Sequence, residues 1–174
     1  MLKLHEPSSY AKLLAIDEFQ ARREVFLRAG WGPFLQQLQG YNDIVSLEFS
    51  LSFDGKITHV GPLSFSVTEA SIAEATKLPR TGDRWYKHFF PWRSSYEFVF
   101  KTQYQSVDGN KGFYKDYIKR EYLNLLIIII KLITCKGKYT IFKIFHLHLL
   151  CHFVTDQKIN FPYYFFKSLG KMSS

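Results

Sequence analysis

Val45-Ser-Leu-Glu-Phe-Ser-Leu-Ser-Phe-Asp-Gly55 is the stretch on which the fold turns. Val45, Leu47, Phe49, Leu51 and Phe53 alternate with Ser46, Glu48, Ser50 and Ser52. A period of two belongs to a strand with one buried face. Asp54-Gly55 follows as a favoured two-residue hairpin turn, because glycine readily takes the positive φ of a type I′ turn. The return strand uses Ile57 to Val60, then Leu63, Phe65 and Val67 after a Gly61-Pro62 break. The same residues also fit a helix over 43–53, with Leu47/Leu51 and Phe49/Phe53 as i, i+4 pairs. The unbroken alternation favours the strand, so the expectation is a small β-hairpin near 44–67.

Helical spacing surrounds this stretch. In residues 9–29, Leu13, Leu14, Phe19, Val25 and Phe26 recur at steps of about three and four among Asp17, Glu18, Arg22, Arg23 and Glu24. Pro7-Ser8-Ser9 supplies a start and Gly30 a stop. A short helix over 34–38 ends at Gly40. Ser66-Val-Thr-Glu69 fits a capping box, opening a helix that runs to about Leu78 and stops at Pro79. Residues 80–112 are loop-rich, with Asp108-Gly-Asn-Lys-Gly112 as the expected flexible loop. Beyond them come three helical pieces, over 115–134, over 139–154, and from Pro162 at a first turn. The expected fold class is therefore α+β and predominantly helical. Residues 1–174 are read as one domain, with the hairpin near its middle and a helical cluster at its C-terminal end.

Composition narrows the function classes. The 174 residues are 47% hydrophobic and 18% aromatic, which excludes a wholly disordered, collagen-like or Cys-stapled chain. A chain of this length buries about 70% of its unfolded surface without needing a staple. Residues 1–100 hold 11 Lys+Arg and 11 Asp+Glu, whereas residues 101–174 hold 12 and 4, so the whole net charge of +8 lies in the second part. The N-terminus is too polar for a secretory signal, no Asn-x-Ser/Thr acceptor occurs, and the two cysteines are Cys135 and Cys151. An intracellular location, nuclear or cytoplasmic rather than secreted, is expected. Tyr122 to Ile130 is uncharged, but Lys131 and Cys135-Lys-Gly-Lys138 interrupt it before the ~20 residues a span needs. No transmembrane span is expected, and membrane association through 122–154 stands as an alternative.

No nucleophile elbow, Walker A loop, His-Glu-x-x-His motif or dinucleotide glycine fingerprint is present. The nearest approach to a metal cluster is Cys135, His146, His148, Cys151 and His152. On a helix His148 and His152 share a face and Cys151 lies one step round, a pairing zinc can use. Apolar neighbours on every side favour buried imidazoles bonded to the backbone instead. The expectation is no cofactor and no catalytic residue, with a metal- or thiol-dependent enzyme on this cluster as the alternative. Lys131, Lys136, Lys138 and Lys143 bracket one turn beside Tyr139, Phe142 and Phe145, a mixture that suits single-stranded nucleic acid. No arginine follows Arg120, so such binding would be salt-sensitive and sequence-blind. AT-rich codons shared by Ile, Lys, Phe, Tyr and Asn offer a compositional origin for the same enrichment.

Several local phrases stand out, taken together and in order. Ala29-Gly-Trp31 is followed by Pro33-Phe-Leu35, Gly40-Tyr-Asn42 and Phe49-x3-Phe53-Asp-Gly55. Val67-Thr-Glu69, Ile72-Ala73-x-Ala75-Thr76-x-Leu78-Pro79 and Gly82-x2-Trp85-Tyr-Lys87 come next. Ile133-Thr-Cys135-x-Gly137-x-Tyr139, His146-x-His148-Leu149-Leu150-x-His152-Phe153, Asn160-Phe-Pro162 and Ser168-Leu169-Gly170-Lys171-Met172 complete the series. From about residue 19 onward this resembles a large, expanded family of uncharacterised plant proteins akin to transposon- and retroelement-associated domains. The resemblance implies a mostly helical domain with a small hairpin. It also implies a non-catalytic role through protein or nucleic-acid contact, with no catalytic residues to carry over. Lys136 and Lys138 replace an expected acidic–basic pair. The chain also stops just after Met172, where related proteins continue, so a truncated copy is expected. Trp31, Trp85, Pro79 and Pro162 are read as packing and boundary residues.

Overall fold

Asn42 decides the competition at residues 43–53. In the computed structural model, which describes residues 20–38, 40–85, 97–101, 113–134, 141–155 and 158–170, its side chain accepts hydrogen bonds from the Ile44 and Val45 amides at 3.0 and 3.1 Å. That N-cap opens a helix at Asp43–Ser52, and Asp43 in the first turn complements the helix dipole. The strand expected at 45–53 is therefore a helix, and the alternative pairing at i, i+4 prevails. Ser50 and Ser52 donate to the Ser46 and Glu48 carbonyls at 2.8 Å, so these alternating serines satisfy their hydroxyls along the helix.

The described residues fall into two compact units, divided between residues 86 and 87 and again between 157 and 158. The first contains α1 (Gln20–Arg28), α2 (Gly32–Gln37), α3 (Asp43–Ser52), β1 (Ile57–Val60), β2 (Leu63–Ser66), α4 (Glu69–Thr76) and, from the far end of the chain, α7 (Phe161–Gly170). The second contains β3 (Phe113–Tyr114), α5 (Arg120–Thr134), β4 (Ile141–Phe142) and α6 (Ile144–Val154), with short 3-10 turns at Glu97–Val99 and Lys115–Tyr117.

In the first unit the hairpin is shorter than expected and turns elsewhere. β1 and β2 are antiparallel, with Thr58 opposite Phe65 and Val60 opposite Leu63. Gly61 (φ +55) is the first central residue of the two-residue turn, where a type II′ geometry requires positive φ. Asp54 makes a side-chain turn instead of a hairpin, its Oδ1 accepting from Lys56 and Ile57 at 2.8 and 2.7 Å. These backbone donors, Ile57 first, hold its carboxyl below the usual value. α3 packs on β1 through polar clips: Thr58 donates to the Phe49 carbonyl at 2.9 Å, His59 N–H donates to Ser52 Oγ at 2.8 Å, and Gly61 N–H donates to Glu48 at 2.8 Å.

α4 begins two residues later than its expected box. Thr68 is the cap and Ser71 its reciprocal partner, with Ser71 N–H to Thr68 Oγ1 at 3.1 Å and Thr68 N–H to Ser71 Oγ at 2.8 Å. It ends at Thr76, and Lys77 (φ 58) turns left-handed before Pro79. α7 packs on α4. Phe161 then meets Trp31 edge-on with centroids 4.8 Å apart, and Phe26 and Phe34 close on the same indole at 5.7 and 5.3 Å. Trp85 stacks on Tyr164 at 5.8 Å. Both indoles are buried, as expected of packing residues.

In the second unit the helix expected over 115–134 is a 3-10 turn followed by α5, because Ile118 leaves the helix to bridge Phe100. The one expected over 139–154 starts only at Ile144, after β4 pairs with β3. α6 is buried from His146 to Phe153 and packs on α5, whose Leu125, Leu126, Ile128, Ile129 and Ile130 are also buried. The all-round apolarity of α6 is that of a helix surrounded by others, whereas α5 is amphipathic, with Arg120 and Glu121 exposed and Asn124 and Lys131 half-buried. Among the described residues no helix is long and apolar enough to cross a membrane.

Candidate functional site

The residues singled out by chemistry in the sequence do not converge. His148, Cys151 and His152 lie buried on α6, and among the described residues no group of three or more His, Cys, Asp or Glu is placed to hold a metal ion. Cys135 lies outside the described residues. Burial pushes the Cys151 thiol up to about 12, the opposite of what a thiolate nucleophile needs. His146 is taken up by the start of its helix: Lys143 N–H donates to its Nδ1 at 3.1 Å, and its own N–H returns to the Lys143 carbonyl at 2.9 Å. Of the lysines, Lys131 is half-buried in the last turn of α5 and Lys143 is exposed just before α6, while Lys136 and Lys138 lie outside the described residues.

A different set of side chains converges in the first unit, around Asn160 and Glu69. Asn160 is buried at the start of α7. Its Oδ1 accepts from Tyr163 N–H at 3.0 Å, and its Nδ2 donates to Glu69 Oε1 and to the Arg80 carbonyl, each at 3.0 Å. The whole amide is used, which fixes its orientation. Glu69, at the start of α4, also receives Arg80 Nε at 3.3 Å on Oε1 and Arg84 Nη2 at 3.1 Å on Oε2. Burial pushes its carboxyl up, but the Asn160 and Arg80 hydrogen bonds and the Arg84 and Arg80 charges outweigh it, leaving the group below its usual value.

The backbone beneath this clasp is equally constrained. Asp83 N–H donates to the Lys158 carbonyl at 2.8 Å, and Asn160 N–H donates to the Asp83 carbonyl at 2.9 Å, forming a parallel bridge from Asp83 to Ile159. Gly82 (φ +97) makes room for it, since a Cβ there would stand 2.5 Å from Lys158 C and O. On the outer side, Arg84 lies over the Tyr163 ring at 5.7 Å and Lys167 Nζ at 5.6 Å. Sequence reasoning missed Arg80, Arg84, Tyr163 and Lys167. The signal for the clasp was present in the phrases ending at Glu69, opening at Gly82 and opening at Asn160, which meet here in space.

A second surface feature sits on α3. Ile44, Leu47 and Leu51 share the helix face turned away from Phe49 and Ser52, and they are 58%, 59% and 78% exposed. Residues 31–55, which include this helix, carry three carboxylates (Asp43, Glu48 and Asp54) and neither Lys nor Arg. No protein-family model, curated protein or solved structure matches this chain.

Proposed function

We propose that the chain is a non-catalytic contact domain of plant transposon or retroelement origin, and that it engages a protein partner through the outer face of α3. The observation that carries this reading is the exposed stripe Ile44, Leu47, Leu51, spaced i, i+3, i+7 as in the seam of a helix pair. Charge complementarity names the occupant: an amphipathic helix with an apolar seam and a lysine- or arginine-rich rim, matching the cation-free acidic stretch around α3. The raised Cys151 thiol and the backbone-engaged His146 speak against the metal- or thiol-dependent alternative.

The test uses a fluorescein-labelled synthetic helix with leucines at the seam and lysines on the rim, titrated with the full chain. Saturable binding, abolished by Leu47→Glu with Leu51→Glu at unchanged melting temperature, is expected. No binding, equal binding by the variant, or self-association of the chain through this face would overturn the reading.

A further inference from the structure

We propose that Arg80 and Arg84, held together on Glu69, with Tyr163 and Lys167 beside Arg84, form a binding site for single-stranded nucleic acid on the first unit. This site shares no residue with α3 or with the lysines flagged in the sequence, and it stands or falls independently of the protein-contact reading.

The argument begins with the buried side of the clasp. Asn160 has its amide consumed by Glu69 and the backbone, the Glu69 carboxylate meets Asn160, Arg80 and Arg84, and the Glu69 side chain is only 13% exposed. Their effect is to hold two guanidinium groups in place on one carboxylate. Arg80 engages it through Nε and Arg84 through Nη2, with side chains that remain 51% and 65% exposed. A guanidinium carries five N–H donors, so each keeps donors for an outside acceptor, in a fixed planar fork that suits phosphate oxygens. Positioning two arginines in advance lowers the ordering cost of binding, which falls heavily on long side chains.

Charge and aromatic surface then specify the ligand class. Arg80, Arg84, Lys158 and Lys167 stand against Glu69 and Asp83 in the segments that meet here, leaving a local excess of two positive charges. Arg84 lies over the Tyr163 ring and Lys167 reaches the same ring. A guanidinium carried on an aromatic ring offers its plane to an unpaired base while its edge meets the phosphate. Duplex bases are enclosed, so this combination favours a single strand. Backbone contacts and stacking carry no sequence code, so the preference is for strandedness and not for sequence.

The experiment is fluorescence anisotropy of the full chain with labelled oligo(dT) of about 20 nucleotides, a duplex of the same length, and inorganic pyrophosphate as competitor. Binding of oligo(dT) tighter than the duplex is expected. Lys167→Gln, which removes no hydrogen bond of the clasp, should weaken it about fivefold and flatten the salt dependence by about 0.7 in logarithmic slope. Arg84→Gln with Lys167→Gln should weaken it at least about thirtyfold. Lys131→Gln and Lys143→Gln should leave it unchanged. Absence of oligo(dT) binding, preference for the duplex, a Lys167→Gln variant equal to wild type, or displacement by pyrophosphate at equal phosphate concentration would each overturn the site.

Discussion

Replacing Asn160 by Asp separates two explanations of why an asparagine stands there. As an N-cap, Asp is at least as good: its carboxylate accepts from Tyr163 N–H, and its charge favours the helix N-terminus by about 0.5 kcal/mol. As the centre of the clasp it is the wrong residue. The Nδ2 donor, 3.0 Å from both Glu69 Oε1 and the Arg80 carbonyl, becomes an acceptor facing two acceptors. Two hydrogen bonds are lost, worth about 1 kcal/mol for the carbonyl and about 2 kcal/mol for the carboxylate. Carboxylate repulsion at this distance adds about 5 kcal/mol at an effective dielectric of 20. Relief is available by protonating the new Asp, which at pH 7 costs about 4 kcal/mol from a pKa near 3.9 and caps the electrostatic part. Once protonated, the group can donate one hydrogen bond to Glu69, which restores part of the loss. The net expectation at pH 7 is a destabilisation of about 5 kcal/mol, or roughly 10–20 °C in melting temperature for a chain of this size. Near pH 4, where the new carboxyl holds its proton, the difference from wild type should shrink to about 1 kcal/mol. Urea unfolding followed by tryptophan fluorescence at both pH values reads this out, because Trp31 and Trp85 are buried in the same unit. A variant as stable as wild type at pH 7, or one whose deficit grows on acidification, would refute the clasp.

Three further outcomes are expected. Gly82→Ala, with φ +97 and a Cβ 2.5 Å from Lys158 backbone atoms, should cost at least about 3 kcal/mol in urea unfolding, whereas Gly61→Ala, with φ +55 and open space around it, should cost only about 1 kcal/mol. Because the Glu69 carboxyl is held below its ordinary value of 4.5, its stabilising term is complete above that value and fades as pH falls through the lower folded value; the melting-temperature gap between wild type and Glu69→Gln should be constant from pH 7 to about 5 and close below it. In a Cys135→Ser background, Cys151 should resist a disulfide-exchange reagent at pH 8 until urea opens the fold, and modification of the native chain within seconds would contradict its burial.

The predominance of helix was legible because long apolar stretches bounded by polar turns survive local ambiguity, as α5 and α6 illustrate. The segment at 45–53 was misread because alternation every two residues and pairing at i, i+4 coexist in it. Asn42-Asp43 was the available tie-breaker, an N-cap followed by an acidic first-turn residue. The same kind of local competition moved the α4 cap from Ser66 to Thr68: a serine three residues after Thr68 closes a box as effectively as a glutamate. The clasp was beyond local rules altogether. Glu69 and Asn160 are 91 residues apart, and nothing at either position specifies the other without the fold between them. Both residues stand in phrases that carry the resemblance, but local reading takes Glu69 only as part of a capping box and assigns Asn160 no role, whereas the two form a tertiary contact.

The bridge from Asp83 to Ile159 has a consequence for how the chain is made. The two strands of that bridge leave the ribosome far apart in time. At about 5–20 residues per second, the 75 residues between them take about 4–15 s to synthesise. Until Phe161 and Tyr164 emerge, Trp31 lacks its shortest ring contact and Trp85 the ring it stacks on in the finished fold. The N-terminal part of the first unit therefore waits as a nascent chain with incompletely covered indoles, while in the second unit α5 can already pack on α6 and β3 pair with β4. That interval is long enough for a chaperone that recognises aromatic segments to act, so the yield of folded protein should respond to translation speed across the middle of the message more than at its ends.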